Sequence, residues 1–102
     1  MKKLFISQPM KDKSQEEILA ERFAAIQTAK DMFNNDIEVI DSYFADYNPE
    51  NGCIPLKFLS KALELMADAD AVYFCKGWEY ARGCKIEHAC AVEYGIDTII
   101  YG

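Results

Sequence analysis

Five consecutive apolar residues, Ala71 to Cys75, constrain the fold of this chain more than any other feature. The run follows Asp70 and stops at Lys76-Gly77, so its length suits a strand better than a helix. A strand without a polar side is buried on both faces, which is typical of a parallel sheet with helices above and below it. The run therefore predicts an α/β domain.

Strand and helix patterns alternate along the chain. Short apolar runs predict further strands at residues 3–7, 36–41 and 97–101. With the run at 71–75, they predict one domain over residues 1–102. We expect a small flavodoxin-like (Rossmann-like), doubly wound parallel sheet of four to five strands, with helices on both faces and the order 2-1-3-4.

Three helices are predicted between these strands. Ser14 and Glu17 have the spacing of a capping box, and this first helix continues to about Phe33. Apolar residues recur along it at helical spacing: Ile18, Leu19, Phe23, Ile26, Met32 and Phe33. Pro55 favours the start of a second helix. A third helix runs from about Gly83 to Tyr94 and ends at Gly95, a residue typical of helix C-caps.

Composition restricts the partners. A net charge of −6 and a pI near 4.7 disfavour polymeric nucleic acid, because phosphate backbones need many Lys and Arg side chains, but they allow a single nucleotide. No apolar run is long enough to cross a membrane, and no signal peptide is recognisable, so we expect a cytoplasmic protein. Reduced thiols are then expected at the four cysteines, Cys53, Cys75, Cys84 and Cys90. Because pockets of small enzymes are often completed by a second subunit, we also expect a homodimer or higher homo-oligomer.

A ligand pocket is expected where the carboxyl ends of the parallel strands meet. Three predicted loops converge there, at residues 7–10, 41–44 and 76–79, and they are rich in polar and aromatic side chains. Such a lining suits a small planar ligand. We predict that the following residues contact it: Ser7, Gln8, Pro9, Met10, Asp41, Gly77, Trp78, Glu79, Arg82 and Gly83.

Glu87 is the residue best suited to chemistry. On a helix it shares a face with uncharged and mostly small neighbours, which are Gly83, Cys84, Cys90, Ala91 and Tyr94. A carboxylate on such a face can reach into a pocket, where desolvation would raise its pKa. It would then suit a nucleophile or an acid/base. The alternative is an exposed helix residue or an ion pair with Lys or Arg.

Other residues in the same segment carry two interpretations each. Trp78 either stacks on a nucleobase or caps the core. Arg82 and Gly83 either hold an anion at a helix start or are simply solvated. Glu79 fits a site residue and a surface charge equally well.

Metal and cofactor sites are poorly supported. His88 is the only histidine, and it lies near Cys84 and Cys90, but the chain has no C-x-x-C pair of the kind that zinc sites use. Glycine-rich dinucleotide and triphosphate motifs are missing after the first strand. We therefore predict no metal and no cofactor, and we keep a metal or redox protein only as a third alternative.

Three segments together resemble one protein family. They are Phe5-Ile6-Ser7-Gln8-Pro9-Met10, Ala69-Asp70-Ala71-Val72, and the run from Gly77-Trp78-Glu79 through Arg82-Gly83 to Glu87. The chain resembles the nucleoside 2-deoxyribosyltransferase-like proteins, particularly a small bacterial and phage branch. The resemblance covers nearly the whole chain, and its most specific part is the G-W-E-x-x-R-G-x-x-x-E run.

The resemblance implies a flavodoxin-like fold and cleavage of the N-glycosidic bond of a 2-deoxynucleoside or its monophosphate. A glutamate of the family attacks the anomeric carbon, and Glu87 falls on its position. The chain departs from the family at Ala62 and Ala81, where active members usually carry an Asp and an Asp or Ser, and at Gln8, where the branch usually has glycine. These departures leave a second hypothesis open, in which the chain is a nucleotide-binding or nucleoside-binding module without turnover.

Overall fold

Four parallel strands form the sheet in a computed structural model, which describes residues 1–42 and 47–100. The elements in chain order are β1 (Lys2–Ser7), α1 (Gln15–Met32), β2 (Ile37–Val39), α2 (Ile54–Met66), β3 (Ala71–Phe74), α3 (Arg82–Glu93) and β4 (Asp97–Ile100). One 3₁₀ turn, Trp78–Tyr80, lies between β3 and α3. The strand order is β2-β1-β3-β4, which confirms the predicted doubly wound topology.

Helices cover both faces of the sheet, as predicted. Leu4 and Ile6 of β1 pack with Ala25 and Ala29 of α1 on one face. Phe5 points to the other face, where it packs with residues of α2 and α3, among them Ala62, Met66 and Ala91. Alternate side chains of β1 therefore belong to two separate cores, and neighbouring residues at its end face different helices.

Helix boundaries follow the local signals of the sequence. Ser14 is the N-cap of α1 and accepts a hydrogen bond from the Glu17 backbone, while the Glu17 side chain accepts from the Ser14 backbone. Gly95 follows the end of α3 with a φ of +72°, a left-handed conformation that glycine adopts without strain. Both predicted helix boundaries are confirmed.

The buried face of α1 includes only half of the apolar residues picked out by their spacing. Ile18 is buried, and Ile26 and Phe33 pack against the core. Leu19, Phe23 and Met32 are exposed, with 44%, 64% and 55% of their surface accessible. The helix instead packs against the sheet through small side chains, because Ala25 and Ala29 let it approach the large residues of β1 and β3. Helical spacing located α1 correctly, but it identified the side that faces the core only in part.

No helix of residues 1–42 and 47–100 is both long enough and apolar enough to span a membrane. The predicted loop residues Tyr43 and Phe44 and the predicted strand residue Tyr101 lie outside the described residues.

Candidate functional site

The connections after β1 and β3 lie side by side at the carboxyl edge of the sheet. Ser7 pairs with Phe74 in the strand register, and the Cys75 backbone N–H donates to the Ser7 carbonyl at 3.0 Å. Gly77 has a φ of +89°, and a Cβ there would lie 3.8 Å from the Pro9 ring. The structure thus brings together Ser7, Pro9 and Gly77, as the sequence predicted.

Glu87 lies on the second turn of α3 and points toward the end of β1. Only 7% of its surface is accessible, and the Ser7 hydroxyl donates a hydrogen bond to its Oε1 at 2.6 Å. In the described part of the chain, Glu87 has no ion pair with Lys or Arg. The exposed and ion-paired alternatives for this residue are therefore both wrong.

Burial changes the acidity of this carboxyl group. Desolvation raises the pKa of Glu87 from 4.5 to about 7, and the hydrogen bond from Ser7 opposes that rise by favouring the anion. At neutral pH the group exists in both protonation states. A carboxyl group with this property can act as a nucleophile when ionised and as an acid when protonated.

The two oxygens of Glu87 have different surroundings. Ser7 holds Oε1, whereas Oε2 accepts no hydrogen bond from the described residues. One oxygen is thus held by Ser7, and the other has no hydrogen-bond donor among the described residues.

Cys84 lies one turn before Glu87 on the same side of α3. It is 4% exposed, and its thiol interacts with the Ser7 hydroxyl. Burial, the largest effect, raises the pKa of this thiol to about 11, and the interaction with Ser7 lowers it in part. Cys84 therefore remains a thiol at neutral pH and is a poor nucleophile.

Trp78 packs against two aromatic rings. Its indole stacks on the imidazole of His88 at 4.3 Å between ring centroids and at 27° between planes. Phe74 contacts both rings, at 5.4 Å from Trp78 and 5.1 Å from His88. Trp78 thus covers part of the core, and it keeps part of its own surface accessible at the carboxyl edge of the sheet.

Gln8 points away from Glu87, toward α1. Its amide nitrogen donates to the Ile18 carbonyl at 2.6 Å and to Glu21 at 3.1 Å, and Lys13 forms a salt bridge with the same carboxylate. The amide oxygen of Gln8 is buried and has no hydrogen-bond partner among the described residues. The structure does not place Gln8 with Ser7 and Glu87.

A second buried polar group was missed by the sequence reasoning. Arg22 of α1 is 8% exposed and donates to the Ser42 hydroxyl at 3.0 Å and to the Ile40 carbonyl at 3.3 Å. Ser42 in turn donates to the Ile6 carbonyl at 3.1 Å. One sequence signal could have found it, since Arg22 lies in helical phase with the buried Ile18, Ala25 and Ala29.

The remaining predicted contact residues lie farther toward solvent. Met10, Asp41, Glu79 and Arg82 are exposed, and Gly83 is half-buried at the start of α3. Ala81 is the N-cap of α3 and makes no side-chain capping bond. The space beside Gly83 at the start of α3 is open, since a Cβ there would have no neighbour within 4 Å among the described residues.

A groove of about 300 Å³ lies on the opposite face of the sheet, between α1 and β3. It is lined by Glu21, Ala24, Ala25, Thr28, Tyr73, Cys75 and Lys76. None of the predicted site residues lines it. The groove and Glu87 are therefore separate features of the molecule.

Metal-binding chemistry has no cluster to support it in the described residues, where no three His, Cys, Asp or Glu side chains are placed to share an ion. Cys53, Cys75, Cys84 and Cys90 form no disulfide with one another, and their reduced state in the cell stays a prediction.

Comparison of the chain with protein-family models, with curated proteins and with solved structures found no match.

Proposed function

We propose that this chain cleaves or transfers the N-glycosidic bond of a 2-deoxynucleoside or its monophosphate, with Glu87 as the nucleophile. The observation that carries the proposal is the carboxylate of Glu87, with Oε1 held by Ser7 and Oε2 without a hydrogen bond from the described residues. A fixed and partly desolvated carboxylate is suited to covalent catalysis at an anomeric carbon. The substrate is a small molecule in the cytoplasm, and the acidic chain disfavours a polymeric one.

The reaction takes two steps. Oε2 of the ionised Glu87 attacks the anomeric carbon, the C–N bond breaks, and the base leaves with the bonding electrons and takes a proton from solvent. Water or a second base then attacks the same carbon and releases the carboxylate, and attack by water returns a proton to solvent. Because only the anion attacks, turnover should rise with pH through the pKa of Glu87, which is about 7.

A second candidate function is a binding module that has kept the fold without the reaction. It is favoured by Ala62, which is 8% exposed in the core, and by Ala81, which offers α3 no side-chain cap. The resemblance associates these two positions with groups that handle the base and position the sugar. Alanine supplies neither a proton nor a hydrogen bond.

The two functions can be separated by measuring base release from deoxynucleosides and their monophosphates by chromatography. Glu87→Gln is the informative variant, because its amide oxygen can still accept from Ser7 and the fold is preserved. We expect it to lose roughly 1,000-fold or more of the rate, as loss of a nucleophile commonly does. Glu93→Gln, an exposed change on the same helix, is the matched control and should keep the wild-type rate.

Equal rates in the wild type and in Glu87→Gln would contradict the enzyme hypothesis. Thermal stabilisation by a nucleotide without base release would favour the binding module. No response to any nucleotide in either assay would count against both functions. Pairing with a second copy to complete the pocket stays a prediction, which sedimentation equilibrium would test.

A further inference from the structure

His88 follows Glu87 on α3 but contacts a different part of the molecule. Glu87 connects the helix to β1 through Ser7, whereas the His88 ring stacks on Trp78 and meets Phe74 edge-on. Successive side chains of a helix point about 100° apart, so Glu87 and His88 can contact two different segments of the chain. Through these two contacts, α3 links the end of β1 to the 3₁₀ turn.

The 3₁₀ turn has few other anchors. It is three residues long, has no side-chain cap and buries none of its residues completely. Tyr80 is 90% exposed, and Gly77 enters the turn in a left-handed conformation. Trp78 is the residue of the turn that packs against the core, and its ring contacts are Phe74 and His88.

Phe74 and His88 contact the indole in different geometries. Its ring meets Trp78 at 51°, a tilted contact, whereas the imidazole lies within 27° of parallel to the indole. A nearly parallel partner fixes the plane of a ring, because rotation of either ring breaks the stack. Of the two rings, His88 is therefore the better placed to set the plane of Trp78.

We propose that His88 is a positioning residue, which holds Trp78 as the platform for the base of the ligand beside Glu87. The inference rests on the proposed function for the identity of the ligand. The indole binds the base, His88 fixes the indole, and Glu87 does the chemistry. Loss of the stack should therefore weaken binding and leave the chemical step unchanged.

Trp78 is the only tryptophan in the sequence, so its fluorescence reports on the platform directly, and His88 is the only histidine. Two variants of His88 are compared. Leucine fills the space and cannot stack, whereas phenylalanine fills it and can. His88→Asn is a second non-aromatic variant in case His88→Leu does not fold. Emission and anisotropy of Trp78 report on the platform, and steady-state base release gives KM and kcat.

In His88→Leu we expect lower anisotropy, emission at longer wavelength, and a KM raised about tenfold, which is within the contribution of base–aromatic stacking. Its kcat should stay within about twofold of the wild type, since binding and not the chemical step is affected. His88→Phe should restore both the fluorescence and the KM. This rescue would not be expected if His88 merely filled volume.

Unchanged fluorescence and KM in His88→Leu would overturn the proposal, and so would a failure of His88→Phe to restore them. A fall in kcat at constant KM would overturn it too, because His88 would then act through Glu87. If the wild type releases no base, the enzyme hypothesis has failed. Binding is then measured by quenching of Trp78 fluorescence with a deoxynucleoside monophosphate, which gives Kd in place of KM. The same tenfold difference would support the platform, and absence of quenching in the wild type would overturn it.

Discussion

Ser7 and Gln8 are neighbours at the end of β1, yet their side chains belong to two different regions. Both are buried, at 1% and 7% exposure. Ser7 faces α3 and donates to Glu87, whereas Gln8 faces α1 and donates to the Ile18 carbonyl and to Glu21. We call these regions the α3 side and the α1 side of the carboxyl edge.

Charged side chains on the two sides differ in the number of their partners. On the α1 side, Glu21 is paired with Lys13 at 3.1 Å, and the Arg22 guanidinium has two oxygen acceptors with the charge of Asp41 nearby. On the α3 side, the Glu87 carboxylate has one hydrogen bond and no cationic partner within residues 1–42 and 47–100. Polar groups with several partners stabilise a fold, whereas a carboxylate with one partner and a raised pKa is a candidate for chemistry. Burial alone does not make this distinction.

The largest expected effect is on the α3 side, where Glu87→Gln should change the pH dependence of stability. Below pH 4.5 the carboxyl group is protonated in both the folded and the unfolded chain. As the pH rises from 4.5 to about 7, the Glu87 carboxyl group ionises in the unfolded chain before it ionises in the folded chain. The free energy of unfolding therefore falls over this range, and the stability that the protonated group contributes is lost. Glutamine does not titrate. Relative to the wild type, the variant should therefore gain about 3 kcal/mol between pH 4 and pH 8.

Urea unfolding of both proteins at the two pH values measures this difference. Glu93→Gln on the exposed side of α3 provides the control and should follow the wild type at each pH. A pH-independent difference between wild type and Glu87→Gln would show that the two sides do not differ in the way described.

A change on the α1 side should have the opposite sign. Arg22→Met keeps much of the apolar stem but removes the donors to Ser42 and Ile40, so we expect a loss of about 2 kcal/mol in the free energy of unfolding. The loss should be similar at pH 5 and pH 8, because a guanidinium stays charged in this range. Urea unfolding at both pH values is the measurement. A more stable variant would remove the contrast between the two sides.

The smallest effect concerns the hydrogen bond between Ser7 and Glu87. In Ser7→Ala the anion loses its donor, so the pKa of Glu87 should rise further by about one unit, since a hydrogen bond to a charged group contributes about 1.5 kcal/mol. The midpoint of the pH-dependent stability difference should move upward accordingly. Ser7→Thr keeps a hydroxyl and should leave the midpoint unchanged. Equal midpoints in Ser7→Ala and the wild type would show that Ser7 does not influence the pKa of Glu87.

Much of the fold could be predicted because its signals are local. The apolar run at 71–75 and the capping box at Ser14 each lie within a few residues, and their physical causes act over the same distance. The buried face of α1 could be predicted only in part, through Ile18, Ile26 and Phe33. It depends on how closely the helix approaches β1 and β3, which made Ala25 and Ala29 core residues and left Phe23 exposed.

The candidate site shows the same difference between local signals and contacts of distant segments. Glu87 could be selected from its small and uncharged helical neighbours, but its partner Ser7 was predicted only as a loop contact. The orientation of Gln8 depends on contacts between distant segments, and no local pattern indicates it. Helical phase could have marked Arg22 as buried, but it does not indicate its partners Ser42 and Ile40. The stack of Trp78 on His88 links a turn to a helix, so the sequence left the role of Trp78 open.

The hydrogen bond from Ser7 to Glu87 joins residues 80 positions apart. Closing so long a segment carries a large entropic cost, and contacts of this sequence separation form slowly compared with local ones. A nascent chain that has made β1 and α1 still lacks Glu87, because α3 follows them in the chain. Glu87 therefore acquires its hydrogen bond and its raised pKa only once α3 has packed against the end of β1, and a chain without that contact carries an ordinary glutamate.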